Sequence, residues 1–141
     1  MPTSLIVWIF SLIGLGVCLL SLWKGQASER LGAWCILANL LVTILATTLL
    51  SPDMRPIGQL VIDAATALGL LFVVLRFGSL WLGAVMLLYA AQFTLHSFYF
   101  VTSRPTDNLH AAVNNIDFLA VIVCLAAGTL ISIHRQRRAA A

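Results

Sequence analysis

Long apolar runs separated by short polar breaks organise this chain. Five runs stand out: Ser4 to Trp23, Leu31 to Leu50, Ile57 to Leu75, Leu80 to Phe100, and Leu109 to about His134. A helix needs about 20 mostly apolar residues to cross the hydrocarbon core, and each run is near that length. The breaks carry turn chemistry. Lys24-Gly25-Gln26-Ala27-Ser28-Glu29-Arg30 is polar, and Ser51-Pro52-Asp53-Met54-Arg55-Pro56 holds two prolines. Thr102-Ser103-Arg104-Pro105-Thr106-Asp107-Asn108 is turn-rich and ends in helix-capping residues. Between the third and fourth runs, Arg76-Phe77-Gly78-Ser79 offers a charge and a glycine for a tight turn. A single helix through that break would be roughly 66 Å long at 1.5 Å per residue, about twice the hydrocarbon thickness.

The runs are expected to be helices. An open sheet leaves backbone groups unpaired in lipid, and a barrel would show short alternating segments. The pattern therefore predicts an all-α polytopic membrane protein, a bundle of five transmembrane helices with short loops. Residues 1–141 form one integral membrane domain in this reading, with no room for a soluble domain between spans.

Polar residues interrupt the apolar runs at helical spacing. Asn39 and Thr43 stand four apart in the second run, with Thr47 a turn further on. Gln59, Asp63 and Thr66 share one face of the third, and Tyr89, Gln92, His96 and Tyr99 one face of the fourth. His110, Asn114 and Asp117 share one face of the fifth, whereas Asn115 lies off it. The first run has only Ser11, Cys18 and Ser21, which predicts a peripheral position.

Depth and energy turn these faces into a candidate pocket. Counted at 1.5 Å per residue, Asp63 lies about 9 Å inside its boundary, and Asp117 and Gln92 about 12 Å inside theirs. Gln59, His96 and His110 lie nearer the same surface. An aspartate near a helix centre costs about 2.5–3.5 kcal/mol on the insertion scale, against about −0.3 to −0.6 for each Leu or Ile. Asp63 is therefore expected to point into the bundle, to be protonated, or both, and an ionisable residue there is a functional candidate. The structural alternative is that Asn39, Thr43, Thr47 and Gln92 act as interhelical glue and that His110 simply sits at the interface. The candidate pocket set is Asp63, Asp117, His96, His110, Gln92, Asn114, Asn39, Gln59 and Tyr89.

Composition narrows the function classes. The chain is 61% hydrophobic and 9% charged, with mean hydropathy +1.02. Soluble domains carry about 25% charged residues, so a soluble enzyme, a nucleic-acid-binding domain and a disordered tail are excluded. The basic residues fix an expected orientation. Lys24, Arg30, Arg76, Arg135, Arg137 and Arg138 fall on one side of a five-span bundle, and Arg55 and Arg104 on the other. That places the C-terminus in the cytoplasm and the N-terminus outside, in a bacterial inner membrane. Trp23, Trp34 and Trp81 then mark the inner interface, with Trp8, Phe98, Tyr99 and Phe100 near the outer one. A cleaved leader is disfavoured because no Lys or Arg precedes the first run.

The remaining features are less specific. Cys18, Cys35 and Cys124 show no paired spacing and read as small packing residues. The tail His134-Arg135-Gln136-Arg137-Arg138 suits anionic lipid headgroups rather than nucleic acid. Ala65-x-x-x-Gly69 and Gly128-x-x-x-Ser132 permit close helix contact. Three functional readings follow. The first is a periplasm-facing pocket that binds or passes a small polar solute, a proton or a cation. The second is a non-catalytic accessory subunit of a larger membrane complex, such as a respiratory one, or a homo-oligomer. The third is a metal or haem site built from His96, His110, Asp63 and Asp117, although no particular cofactor is indicated. No nucleophile–base arrangement marks the chain as an enzyme.

Overall fold

The computed structural model describes residues 2–105 and 107–140; Thr106, within the turn-rich break, lies outside them. Five helices follow one another: α1 (Pro2–Lys24), α2 (Ala27–Leu49), α3 (Arg55–Phe77), α4 (Leu80–Val101) and α5 (Asn108–Ala139). No strand occurs among the described residues. Helices α2 to α5 are each long and apolar enough to cross a membrane, and α1 adds a shorter apolar stretch over Trp8–Lys24. The chain has the build of a membrane-embedded all-helical bundle.

Local chemistry sets each boundary. Pro52 stands three residues beyond the end of α2 at Leu49, and Pro56 occupies the first turn of α3. A proline in that turn forfeits no intrahelical bond. Gly78 adopts φ 61° and ψ 30°, and its N–H returns to the Val74 carbonyl, so α3 ends in a left-handed cap. Only Gly78 and Ser79 separate α3 from α4. Asp107 caps α5, its Oδ1 accepting from the His110 N–H at 2.9 Å. At 32 residues α5 is about 48 Å long, which carries its basic end past a hydrocarbon core of about 30 Å.

Short connections make successive helices antiparallel. Neighbours in sequence are neighbours in space, and α5 returns to pack on α1, with a lighter approach to α2. The bundle thus has two ends. One gathers the α2–α3 and α4–α5 loops. The other gathers the α1–α2 and α3–α4 loops and the basic tail.

The apolar core fills the half nearer the tail. Cys18, Ile36, Leu70, Val73, Leu82, Val85, Val121 and Leu125 are all buried there. Tyr89 joins the same cluster. Outward faces carry exposed Leu41, Leu45, Leu68, Phe72, Leu75 and Leu87, as a lipid-facing surface requires. The expected peripheral place of the first span holds for only part of α1. Its Trp8, Ile9 and Leu12 are exposed, but Gly14, Cys18 and Ser21 are buried. The cause is close contact with α5: a Cβ on Gly14 would stand 2.9 Å from the Phe118 ring. Ser21 Oγ and Thr129 Oγ1 meet at 2.7 Å between α1 and α5.

Glu29 corrects a second expectation. The polar break suggested a loop residue, but Glu29 lies in the first turn of α2 and is 5% exposed. Its carboxylate accepts from the Gln26 N–H at 3.0 Å, the Ser28 hydroxyl at 2.8 Å and Trp81 Nε1 at 3.2 Å. Trp81 reaches it by lying between two glycines. A Cβ on Gly128 would meet the indole at 2.7 Å, and one on Gly32 would meet its far edge at 2.7 Å.

Candidate functional site: a buried Asp–His pair beneath an open cleft

The polar faces of α2, α3, α4 and α5 converge in the half of the bundle away from the tail. At the centre is Asp63, with no exposed surface. Its Oδ2 lies 2.5 Å from Nδ1 of His96, which is itself buried. Which of the two atoms donates follows the tautomer and charge of the ring. The other oxygen, Oδ1, accepts from Gln59 Nε2 at 3.2 Å and, more loosely, from Asn39 Nδ2 at 3.5 Å. Asn39 also donates to Thr66 Oγ1 at 2.9 Å, and Thr66 donates to the Ile62 carbonyl at 2.8 Å. Three helices thus supply hydrogen-bonding groups to one carboxylate, the arrangement that makes a buried charge tolerable.

The network continues toward α5 through rings and amides. The His96 and His110 ring centroids are 5.1 Å apart, and Tyr99 meets His110 edge-on at 4.7 Å. Gln92 Nε2 donates to Asn114 Oδ1 at 3.1 Å, which ties α4 to α5 as helix glue. Asp117 is 7% exposed and lies within electrostatic reach of Asp63 and His96. Its Oδ2 finds no hydrogen-bond partner among the described residues, and neither does Thr43 Oγ1.

A cleft of about 740 Å³ opens above this network, between the α2–α3 and α4–α5 loops. His96, Gln59 and His110 reach it from below. Arg55, Arg104 and Asp53 stand at its mouth, and Ala46, Pro52, Pro56 and Phe100 supply apolar wall. The mouth is braced locally. Tyr99 donates its hydroxyl to Asp107 at 2.8 Å, and Arg104 Nη2 donates to the same carboxylate at 3.1 Å. Bonds from the His110 backbone and the Tyr99 hydroxyl hold the Asp107 carboxyl below its ordinary value.

The expected pocket set therefore divides. Asp63, His96, Gln59 and Asn39 form one connected cluster, with His110 stacked on it. Only His96, His110 and Gln59 of the nine line the cleft. Gln92 and Asn114 satisfy each other, Asp117 lies deeper, and Tyr89 belongs to the apolar core. Arg55, Arg104 and Tyr99 at the cleft were missing from the set. The two arginines stand in or beside loops, where they gave no intramembrane signature, whereas Tyr99 shares the polar face of α4 with His96 but was read there as an interface aromatic. The proposed metal set is not assembled. Among the described residues no three His, Cys, Asp or Glu side chains gather as ligands, because His96 and Asp63 spend their facing atoms on each other. The His96 and His110 rings pack together, which leaves no room for a haem plane between them. All three cysteines are free.

No protein-family model, curated protein or solved structure matches this chain.

Proposed function

We propose that this protein binds or passes a small polar solute or a proton through the cleft, with the Asp63–His96 pair as the proton-exchanging group. One observation carries the reading: His96 lines an open cleft while its Nδ1 bonds a carboxylate with no exposed surface. A cleft lined by an imidazole that is backed by a buried acid can take a proton from solvent and hold it inside the bundle. Asp117 supplies a second proton-holding position. An unpaired carboxylate is costly to keep charged in hydrocarbon, and protonation removes that cost.

The bilayer is the surrounding partner in this reading, and the chain sits in a bacterial inner membrane. The cleft faces the periplasm and the basic tail the cytoplasm, as the distribution of Lys and Arg favours. A homo-oligomer or a larger assembly is compatible with the exposed apolar faces.

Reconstitution tests this directly. Vesicles containing the protein and an internal pH dye receive an acid step outside. Proton entry that Asp63→Asn abolishes is the expected result. Entry unchanged in Asp63→Asn would remove the pair from the function. A cysteine placed at Arg138 is expected to resist an impermeant thiol reagent added to whole cells; labelling there would reverse the orientation.

A further inference from the structure

We infer that the cleft selects a small organic anion, a carboxylate or phosphate monoanion with a short apolar body, and rejects cations. The inference rests on the cleft being the binding site, and it names the ligand class. Two side chains lining the cleft carry positive charge, Arg55 and Arg104, and two imidazoles, His96 and His110, stand beside them as hydrogen-bonding groups. Asp53 is the only acid among its lining residues. Asp63, the carboxylate a cation would seek, is closed to it. Both its oxygens are occupied, Oδ2 by His96 and Oδ1 by Gln59 with Asn39 behind. A cation would have to displace those bonds, whereas an anion meets free N–H groups.

The two arginines are not equivalent. Arg104 lies 5.6 Å from the Tyr99 ring and already gives an N–H to Asp107. Arg55 spends only its Nε, on the Leu50 carbonyl at 3.3 Å, so the terminal nitrogens of its guanidinium remain for a ligand. A planar fork of that kind matches a carboxylate or phosphate edge. The walls formed by Ala46, Pro52, Pro56 and Phe100 fit a short hydrocarbon body below the charged head. A free solute and an anionic lipid headgroup both offer this chemistry.

The test uses the purified full chain in phosphatidylcholine nanodiscs at about pH 6, with hexanoate and hexylammonium as paired probes followed by saturation-transfer NMR. Hexanoate binding with no hexylammonium binding is expected. Arg55→Gln should weaken hexanoate roughly tenfold, as loss of one charge-assisted contact does, and Lys24→Gln at the far end should not change it. In phosphatidylglycerol discs, loss of hexanoate binding together with retained lipid in native mass spectra identifies the headgroup as the natural anion. Undiminished hexanoate binding there identifies a free solute. Preference for hexylammonium, indifference to Arg55→Gln, or binding of neither probe would overturn the inference. The proton reading fails separately, by proton entry that is insensitive to Asp63→Asn.

Discussion

Two buried carboxylates sit at opposite ends of this bundle, and they are solved differently. Glu29, at the tail end, is held by three neutral donors: a backbone N–H, a hydroxyl and an indole N–H. Asp63, in the other half, has an ionisable partner in His96, and that partner lines an open cleft. Burial alone therefore does not mark an acid as functional. Under the proposed function, the partner's ability to change charge and a route for solvent to reach it make the distinction. The surroundings follow the same division. Around Glu29 the helices close on glycines and an apolar core, whereas around Asp63 they leave amides, imidazoles and a gap.

Breaking each half should give different phenotypes. The largest effect is expected from Asp63→Asn, which keeps the shape of the side chain but removes the carboxylate oxygen that faces His96 Nδ1. Proton entry into vesicles should fall at least tenfold, and because the amide accepts through one oxygen where the carboxylate used two, a stability loss of about 1–3 kcal/mol should accompany it and leave the chain folded. Loss of folding together with activity would merge the two halves into one structural role. Gly128→Ala attacks the opposite half. Its Cβ would stand 2.7 Å from three atoms of the Trp81 indole, so α5 must move or Trp81 must leave Glu29. The expected loss is about 1–3 kcal/mol, read by thermal unfolding in detergent, with proton entry per folded molecule unchanged.

Glu29→Gln sharpens the contrast at smaller cost. The amide accepts through one oxygen only, so one of the three donors is left unpaired, for about 1–2 kcal/mol, again without effect on the cleft. The smallest effect belongs to Asp107, whose carboxyl is held below its ordinary value of 3.8 chiefly by the His110 N–H. A depressed carboxyl stabilises the folded chain above its unfolded value, and that contribution is lost as pH falls through the folded one. The α5 cap should thus hold at neutral pH and loosen only below about pH 3.8. A fall in the protection factor of the His110 amide, its exchange rate relative to the unstructured rate at the same pH, would show it, and Asp107→Ala should show low protection at every pH.

How far the sequence foretold this arrangement depends on the physics of each part. Hydropathy marked all five helices, because lipid demands continuous apolar length. It mislaid their ends, because it reports where apolar residues begin and not where hydrogen bonding begins. Hence Glu29 read as loop although α2 starts at Ala27. An N-terminal acid three residues after Gln26 was the available signal, of the capping kind. Periodicity put Gln59, Asp63 and Thr66 on one face, and His96 with Tyr99 on another, and those faces do meet. Periodicity carries no information on which faces meet, so the partnership of Asp63 with His96 rather than with Asp117 or a metal had to come from packing. The arginines at the cleft were legible only as topology signals, since a loop cation looks the same whether it faces water or a ligand.

The central claim is that Asp63 exchanges protons through His96 and Glu29 does not. Infrared pH-difference spectra of the reconstituted protein test it most directly, because carboxyl and imidazole bands change with protonation. The account predicts a titrating signal that disappears in both Asp63→Asn and His96→Gln and survives intact in Glu29→Gln. A signal that persists in Asp63→Asn, or that Glu29→Gln removes, would contradict it.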